Sequence, residues 1–470
     1  MSELKRSLDL FDTIMIVSGS MIGSGIFIVS ADMTRVLGSP FWVLMCWLLS
    51  GVITLFAALS YGELAGMMPS AGGQFIYLKR AYGSMVSFVY GWSVFTVIQT
   101  GVIAAVAVAF ARYVGVFLPV FDEKNILISI WKIEISTTQL LAVAMVFFLT
   151  FLNTRGINNG RIIQRIFTSA KILALLGLIV AGLVVGFGNG FLSKNMALPF
   201  APVTTNSQGG GLVAALGVAL VGSLFSSDAW NNVTFIAGEI KQPQRNIPLG
   251  LFIGVLIVTI LYLLANVAYF MLLPALGSGN GATVLERGVA FAQNDRVGSA
   301  AMFMLFGNVS ALVMALLIIV STFGCNNGLI LAGARLFQAM ANEGLFFKKA
   351  AALNRFNVPE NSLWMQAAWT SVLCLSGSYG SLLEYCTFAS LVFYIITIAS
   401  LFRLRWLEPN THRPYKAFGY PVIPLLYIVI TTIICVDLLI FKHQNTLKGL
   451  GIMALGIPVY FLFRRRSTAK

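Results

Sequence analysis

The residues best placed to do chemistry are Gly19-Ser20-Met21-Ile22-Gly23-Ser24-Gly25-Ile26-Phe27, in the middle of an apolar run from Leu10 to Leu37. Each glycine costs about 1 kcal/mol relative to alanine in a helix, so this run is weakest where a spanning helix should be strongest. Inside a bilayer, unwound backbone is tolerated only where protein or water lines it, and the stretch therefore predicts a cavity near the midplane. The half-helix that restarts beyond the break would point free N–H groups into that cavity, and such ends attract carboxylates and other anions. The competing reading is close helix packing, because Gly19 and Gly23 form a small-xxx-small pair.

A second interruption is Gly222-Ser223-Leu224-Phe225-Ser226-Ser227-Asp228-Ala229-Trp230-Asn231-Asn232. Asp228 would be very costly facing lipid. Gly19-Ser20-Met21-Ile22 aligns on Gly222-Ser223-Leu224-Phe225, 203 residues further on. Corresponding breaks in two halves of a chain point to a transporter site built from inverted repeats. Opposed half-helix ends offer N–H groups to a carboxylate and carbonyls to an ammonium, which suits a zwitterionic solute. Lys171 stands a turn or two into apolar sequence: it is either a functional buried charge or a side chain snorkelling to the interface. Asn326 and Asn327, within Ser321–Gly328, are polar for mid-membrane and are possible pocket residues; so is Phe388, within the mixed polar and aromatic stretch Tyr385–Ser390. The competing role of both stretches is to glue helices by hydrogen bonds.

No catalytic constellation accompanies these groups. Neither His412 nor His443 has a catalytic neighbour in sequence, no Cys/His spacing suits a metal, and neither an enzyme nor a cofactor is expected. The elements that must position the two breaks are membrane spans. Hydrophobic residues make up 58% of the chain and charged residues 10%, against about 25% in soluble domains. Mean hydropathy is +0.86. Apolar runs long enough to span, about 20 residues each, fall at 10–37, 41–66, 84–118, 137–154, 162–188, 211–239, 249–274, 300–333, 364–380, 383–404, 421–441 and 449–463. The +14 net charge would suggest nucleic acid, but its distribution does not. With the N-terminus cytoplasmic, 21 of the 31 Lys and Arg fall on inner segments and eight on outer ones, so the charge orients the protein with both termini inside. The five cysteines all fall inside spans, so no disulfide-linked partner subunit is expected.

At this point the motifs carry a likeness. Gly23-Ser24-Gly25-Ile26-Phe27 resembles a signature of the amino acid–polyamine–organocation superfamily, closest to its L-type amino acid transporter branch. Pro69-Ser70-Ala71-Gly72-Gly73 with Tyr77, Ala229-Trp230-Asn231 through Gly238-Glu239, Phe323-Gly324 through Glu343-Gly344, and Arg413-Pro414-Tyr415-Lys416 resemble its further motifs, in order. The resemblance implies an all-α polytopic fold of 12 transmembrane helices: a five-plus-five inverted repeat of the LeuT-like kind, with helices 1 and 6 broken, plus two peripheral helices. The division would be 1–190, 205–405 and 415–470 within one domain.

It also implies site roles. Ser24, Gly25 and Ile26 would hold a substrate carboxylate, and Met21 and Phe225, with the residues around Asp228, an α-ammonium; Gly23 and Ser226 would complete the substrate site. Phe225 would be an aromatic gate, and Lys171 a tethered cation tying the first and eighth spans together where sodium-coupled relatives hold sodium. Asp228 departs from the glycine of many members; it could select a cationic side chain, hold the α-amine, or bond a neighbouring helix. Leu391 replaces a bulkier aromatic. The expectation is a sodium-independent amino acid exchanger of the cell membrane, moving neutral and possibly cationic amino acids. A proton-coupled symporter is the alternative, and a channel is disfavoured by the paired breaks.

Overall fold

The computed structural model describes residues 6–122, 124–130, 133–198, 211–376, 379–441 and 443–468. Helices dominate. The sheet among the described residues is a two-stranded antiparallel hairpin, Ile126–Ile130 with Ile133–Ser136. Among the described residues nine helices are long and apolar enough to cross a membrane, and each coincides with an expected span. The three expected spans without such a helix are the two interrupted ones and the ninth, where the helix Glu360–Ser376 has 17 residues. Many exposed side chains are large and apolar, such as Leu173, Val180 and Val184 on one helix. Apolar surface on that scale fits lipid rather than water.

Seven helices carry the site. They are α1 (Leu10–Met21), α2 (Val29–Leu37), α3 (Ile157–Gly186), α4 (Gly211–Ser226), α5 (Pro243–Leu272), α6 (Ser310–Asn342) and α7 (Tyr379–Leu407). Asp9 caps α1 in a reciprocal box with Asp12, satisfying amide groups that a helix start leaves free. The helix stops at Met21, Ile22 turns extended, and only a 3-10 turn, Gly25–Phe27, precedes α2. The first break therefore falls where the glycines place it.

The second break is longer than expected. After α4 the backbone is non-helical over 227–231, and only the four-residue helix Asn232–Phe235 and the turn Ala237–Glu239 follow. The expected span 211–239 is thus half helix and half turns. Ser, Asp and Asn side chains compete for their own backbone and favour turns. Ala229 adds left-handed backbone, at φ 66°.

At the end of the bundle holding the N-terminal segment, polar groups knit the elements shut. Leu8 and Ser7 donate their amides to the Glu239 carbonyl, and Gly72 donates to Phe235. Arg335 of α6 pairs with Glu239 at 3.3 Å, the two side chains 0% and 2% exposed. Arg165 of α3 reaches Asp12 at 2.5 Å and Asp9 at 3.0 Å. Burial pushes the Asp9 carboxyl up, but the Asp12 amide and the Arg165 guanidinium outweigh it and hold it below the usual aspartate value. Glu63 accepts from Arg405, at 2.5 and 2.9 Å, and from the Ala417 amide. Of the basic residues counted for orientation, Lys5, Lys132, Lys442 and Lys470 lie outside the described residues.

Removing one partner of a buried ion pair strands the other, at a cost of about 3–5 kcal/mol. Glu239→Ala should therefore lower the unfolding temperature of the detergent-purified protein well beyond an exposed control such as Glu286→Ala. Replacing the pair together, as Glu239→Leu with Arg335→Met, should recover most of the loss. A Glu239→Ala melting curve that overlays the parent would contradict this account of the closure.

Candidate functional site

The carbonyls freed at the end of α1 are met from three helices. Lys171 of α3 is 2% exposed. Its Nζ donates to the carbonyls of Gly19, Ile22 (2.7 Å) and Ser321 (3.4 Å). An ammonium has three N–H donors, and three acceptors surround this one. The snorkelling alternative is excluded, since the amine turns into the bundle onto the break. From α6, the Ser321 hydroxyl lies 3.1 Å from the Ile22 carbonyl and 3.3 Å from that of Gly23, and the Cys325 thiol donates to Ser20. Lys171 thereby joins the first break to α6.

The two breaks touch each other. A Cβ on Gly25 would collide with Ser226 Oγ and lie 2.9 Å from Ser226 Cβ and 3.3 Å from its Cα. Gly23 is different: its nearest neighbour would be Cys325 Sγ at 3.6 Å, ordinary contact. Gly19 does serve packing, against Gln164 and Thr168 of α3. The packing reading thus holds at Gly19, whereas Gly25 is where the two broken segments meet. Tyr262 of α5 fastens them, its hydroxyl 3.0 Å from both the Met21 and the Ser226 carbonyls. One hydroxyl hydrogen serves two acceptors there, so one carbonyl always has acceptor capacity in hand. Among the described residues the amides of Gly25 and Ile26 donate to no acceptor. Free N–H groups and a spare carbonyl within one break can hold the anionic and cationic ends of one small molecule.

A cavity of about 890 Å³ leads to this place from the end of the bundle opposite the N-terminal segment. Its mouth carries exposed Asp32, Asp122, Lys124 and Gln293, and its inner lining includes Gly222 and Phe225. Asp228 does not line it but lines two far smaller cavities, one of which shares Thr387 with the large one. The Tyr394 hydroxyl of α7 donates to Asp228 Oδ1 at 2.6 Å and stands 3.2 Å from Asn231 Oδ1. Asn231 in turn donates to Gln74 at 3.0 Å. Tyr394 also packs with Tyr61 and Trp230, at ring separations of 6.0 and 5.3 Å.

The candidate residues divide accordingly. Met21, Gly23, Ser24, Gly25, Ile26, Phe225, Ser226 and Asp228 gather at the paired breaks, and Leu391 lines a small cavity with Asp228. The Phe225 carbonyl, expected to face an ammonium, accepts the Asp228 amide instead, and Ser226 is the residue whose carbonyl reaches Tyr262. Asn326 and Asn327 are not brought to these cavities. Asn327 donates to Gly160 and Gln164 and accepts from Asn153, a knot between helices, while Asn326 faces Met145. Phe388 is buried core. Sequence reasoning missed Tyr262, Tyr394 and Gln74. Tyr394 was within reach, being one turn beyond Leu391 on the same helix face. Among the described residues no group of His, Cys, Asp or Glu side chains is placed to hold a metal ion.

Known proteins resemble this chain over nearly its whole length. The family model described as amino acid permease matches residues 8–460. The Asc-type amino acid transporter 1 of Mus musculus is 29% identical over 98% of this chain and 81% of its own length. The large neutral amino acids transporter small subunit 2 of Rattus norvegicus is 30% identical over 98% and 81%. The cystine/glutamate transporter of Homo sapiens is 30% identical over 98% and 86%.

The contrast between two glycines tests the site. Gly25→Ala should force the breaks apart and weaken ligand binding by about tenfold or more, the effect of roughly 1–3 kcal/mol of overpacking. Gly23→Ala should bind within about threefold of the parent, as ordinary contact allows. Equal affinities for the two variants, measured by isothermal titration or scintillation proximity, would refute the close approach of Gly25 to Ser226.

Proposed function

The chain belongs to the amino acid permease family, in its L-type amino acid transporter branch, and from that premise we propose that it carries amino acids across the cell membrane as a sodium-independent exchanger. Twelve spans in two inverted halves, with both termini cytoplasmic, would make the closed end the inner one and the large cavity an outward vestibule. The observation that carries the reading is Lys171 among the carbonyls of Gly19, Ile22 and Ser321. A fixed ammonium already fills that cage of backbone oxygens, so no sodium ion is needed to complete it. Its charge stays with the protein through the cycle.

An amino acid entering the vestibule passes Phe225, which can swing over it as a gate. Its carboxylate takes the amides of Gly25 and Ile26 with Ser24 beside them. Its ammonium takes the carbonyl capacity shared at Met21 and Ser226, with Asp228 adding negative charge below. Neutral substrates satisfy this pair of ends, and Asp228 adds a place for a cationic side chain. The preference for exchange follows from the empty state. Closing the site without a substrate would bury unpaired N–H and C=O groups, each costing about 1–3 kcal/mol. The loaded carrier therefore reorients faster than the empty one.

Two experiments test this. Purified protein in liposomes preloaded with amino acids should take up labelled leucine, alanine or arginine, whereas empty liposomes should not, and replacing sodium by choline should change nothing. Uptake into empty vesicles driven by an inward proton gradient would replace the exchanger with a symporter. Lys171→Ala should lower exchange about a hundredfold, since the buried ammonium that bridges the Gly19, Ile22 and Ser321 carbonyls is lost, while the protein remains folded by size-exclusion chromatography. Undiminished exchange in that variant would remove Lys171 from the mechanism.

A further inference from the structure

The hydrogen bonds below Asp228 form a chain with one ambiguous link. Gln74 opens the helix Gln74–Tyr82 and donates its amide to Thr397 Oγ1 at 2.8 Å and to the Phe393 carbonyl at 3.2 Å, both on α7. Its oxygen accepts from Asn231 Nδ2 at 3.0 Å. Asn231 Oδ1 and Asp228 Oδ1 then compete for the Tyr394 hydroxyl, at 3.2 and 2.6 Å. Immediately before Gln74, Gly73 lies so close to Thr234 that a Cβ would collide with it, and the Gly72 amide is held by Phe235. The loop that closes the N-terminal end of the pathway is thus fixed to the second break through Gln74 and Asn231.

A hydroxyl has one hydrogen. While Asp228 is an unoccupied carboxylate it is the stronger acceptor and holds that hydrogen, as the shorter distance indicates. A cation arriving at Asp228 takes over part of its acceptor capacity, and the hydroxyl can turn to Asn231. We infer that Tyr394 is a positioning residue that reports a substrate cation at Asp228 to the closing loop, by passing its single hydrogen from Asp228 to Asn231 and so repositioning Gln74. The two hydroxyl orientations are a two-state element that both sites bias, which is what coupling between sites requires. This inference rests on the transport reading above, and it assigns Tyr394 to turnover rather than to affinity.

Tyr394→Phe tests it, because the ring that packs against Tyr61 and Trp230 is kept. Binding of arginine and of leucine is measured on purified protein, and exchange of each in preloaded liposomes. The relay predicts dissociation constants within about threefold of the parent and arginine exchange about tenfold slower, the loss of one hydrogen bond to a charged group. Loss confined to arginine assigns the side-chain cation to Asp228, and equal loss for leucine assigns the α-ammonium; either outcome supports the relay. In an Asp228→Asn background, Tyr394→Phe should slow exchange less than about twofold further, the non-additivity of residues acting through one another. Parallel losses of binding, exchange and melting temperature, or effects that simply add in the double variant, would reduce Tyr394 to a structural tyrosine. A parent protein that binds amino acids and exchanges none would overturn the transport reading, and the relay with it; a parent that exchanges while Tyr394→Phe matches it overturns the relay alone.

Discussion

A chain that unwinds inside hydrocarbon frees amide and carbonyl groups that cost several kcal/mol each when left without partners. The centre of this protein is arranged around that cost. The carbonyls of Gly19, Ser20, Met21, Ile22 and Gly23 are each met by a side chain from another helix: Lys171, Cys325, Tyr262 or Ser321. None of these donors belongs to α1, so the broken segment is held by its neighbours rather than by its own helix. Its shape therefore depends on how α3, α5 and α6 sit around it. A change in their packing must change the site, which is the property a carrier needs.

The same cost explains an asymmetry between carbonyls and amides. Every carbonyl of the first break is met by a donor from another helix, with the Tyr262 and Ser321 hydroxyls each shared between two, whereas the amides of Gly25 and Ile26 have no acceptor among the described residues. An arrangement built only to hold the break rigid would treat both sides alike. Strain points the same way. Ala229 holds left-handed backbone, which costs an L-residue roughly 1–2 kcal/mol, at the position next to Asp228. Such cost persists where surrounding structure determines the conformation, and here Tyr394 and the Asn231–Gln74 contact supply that determination.

Much of this was legible in the sequence because polarity inside an apolar run is rare and therefore informative. The glycines of the first break, the acid and amides of the second, and Lys171 all stood out on that ground; in the structure Lys171 meets the first break, and the two breaks touch at Gly25 and Ser226. What could not be read was direction. Asn326 and Asn327 are as polar as Asn231, but they lie on a continuous helix, and nothing in sequence says which neighbour each faces; α3 receives Asn327 through Gln164. Tyr262 and Tyr394 escaped for the opposite reason. A tyrosine in an apolar helix is ordinary, and only the position of its hydroxyl makes it part of a site. The second break was foreseen in place but not in extent, since short polar side chains compete with the helix over several residues rather than at one.

The two ends of the bundle are closed by different physics. The end with the N-terminal segment is sealed by directional polar contacts, from the buried Arg335–Glu239 pair to the Gly72 amide on Phe235. The other end opens into the large cavity, whose lining includes the ring of Phe225. A buried ion pair adds little net stability over an apolar contact of the same shape, yet losing half of it is severe. Such contacts suit a closure that must be complete or absent, because a partly separated pair is the costliest arrangement of all. An aromatic ring over a cavity has no such threshold and can move through intermediate positions.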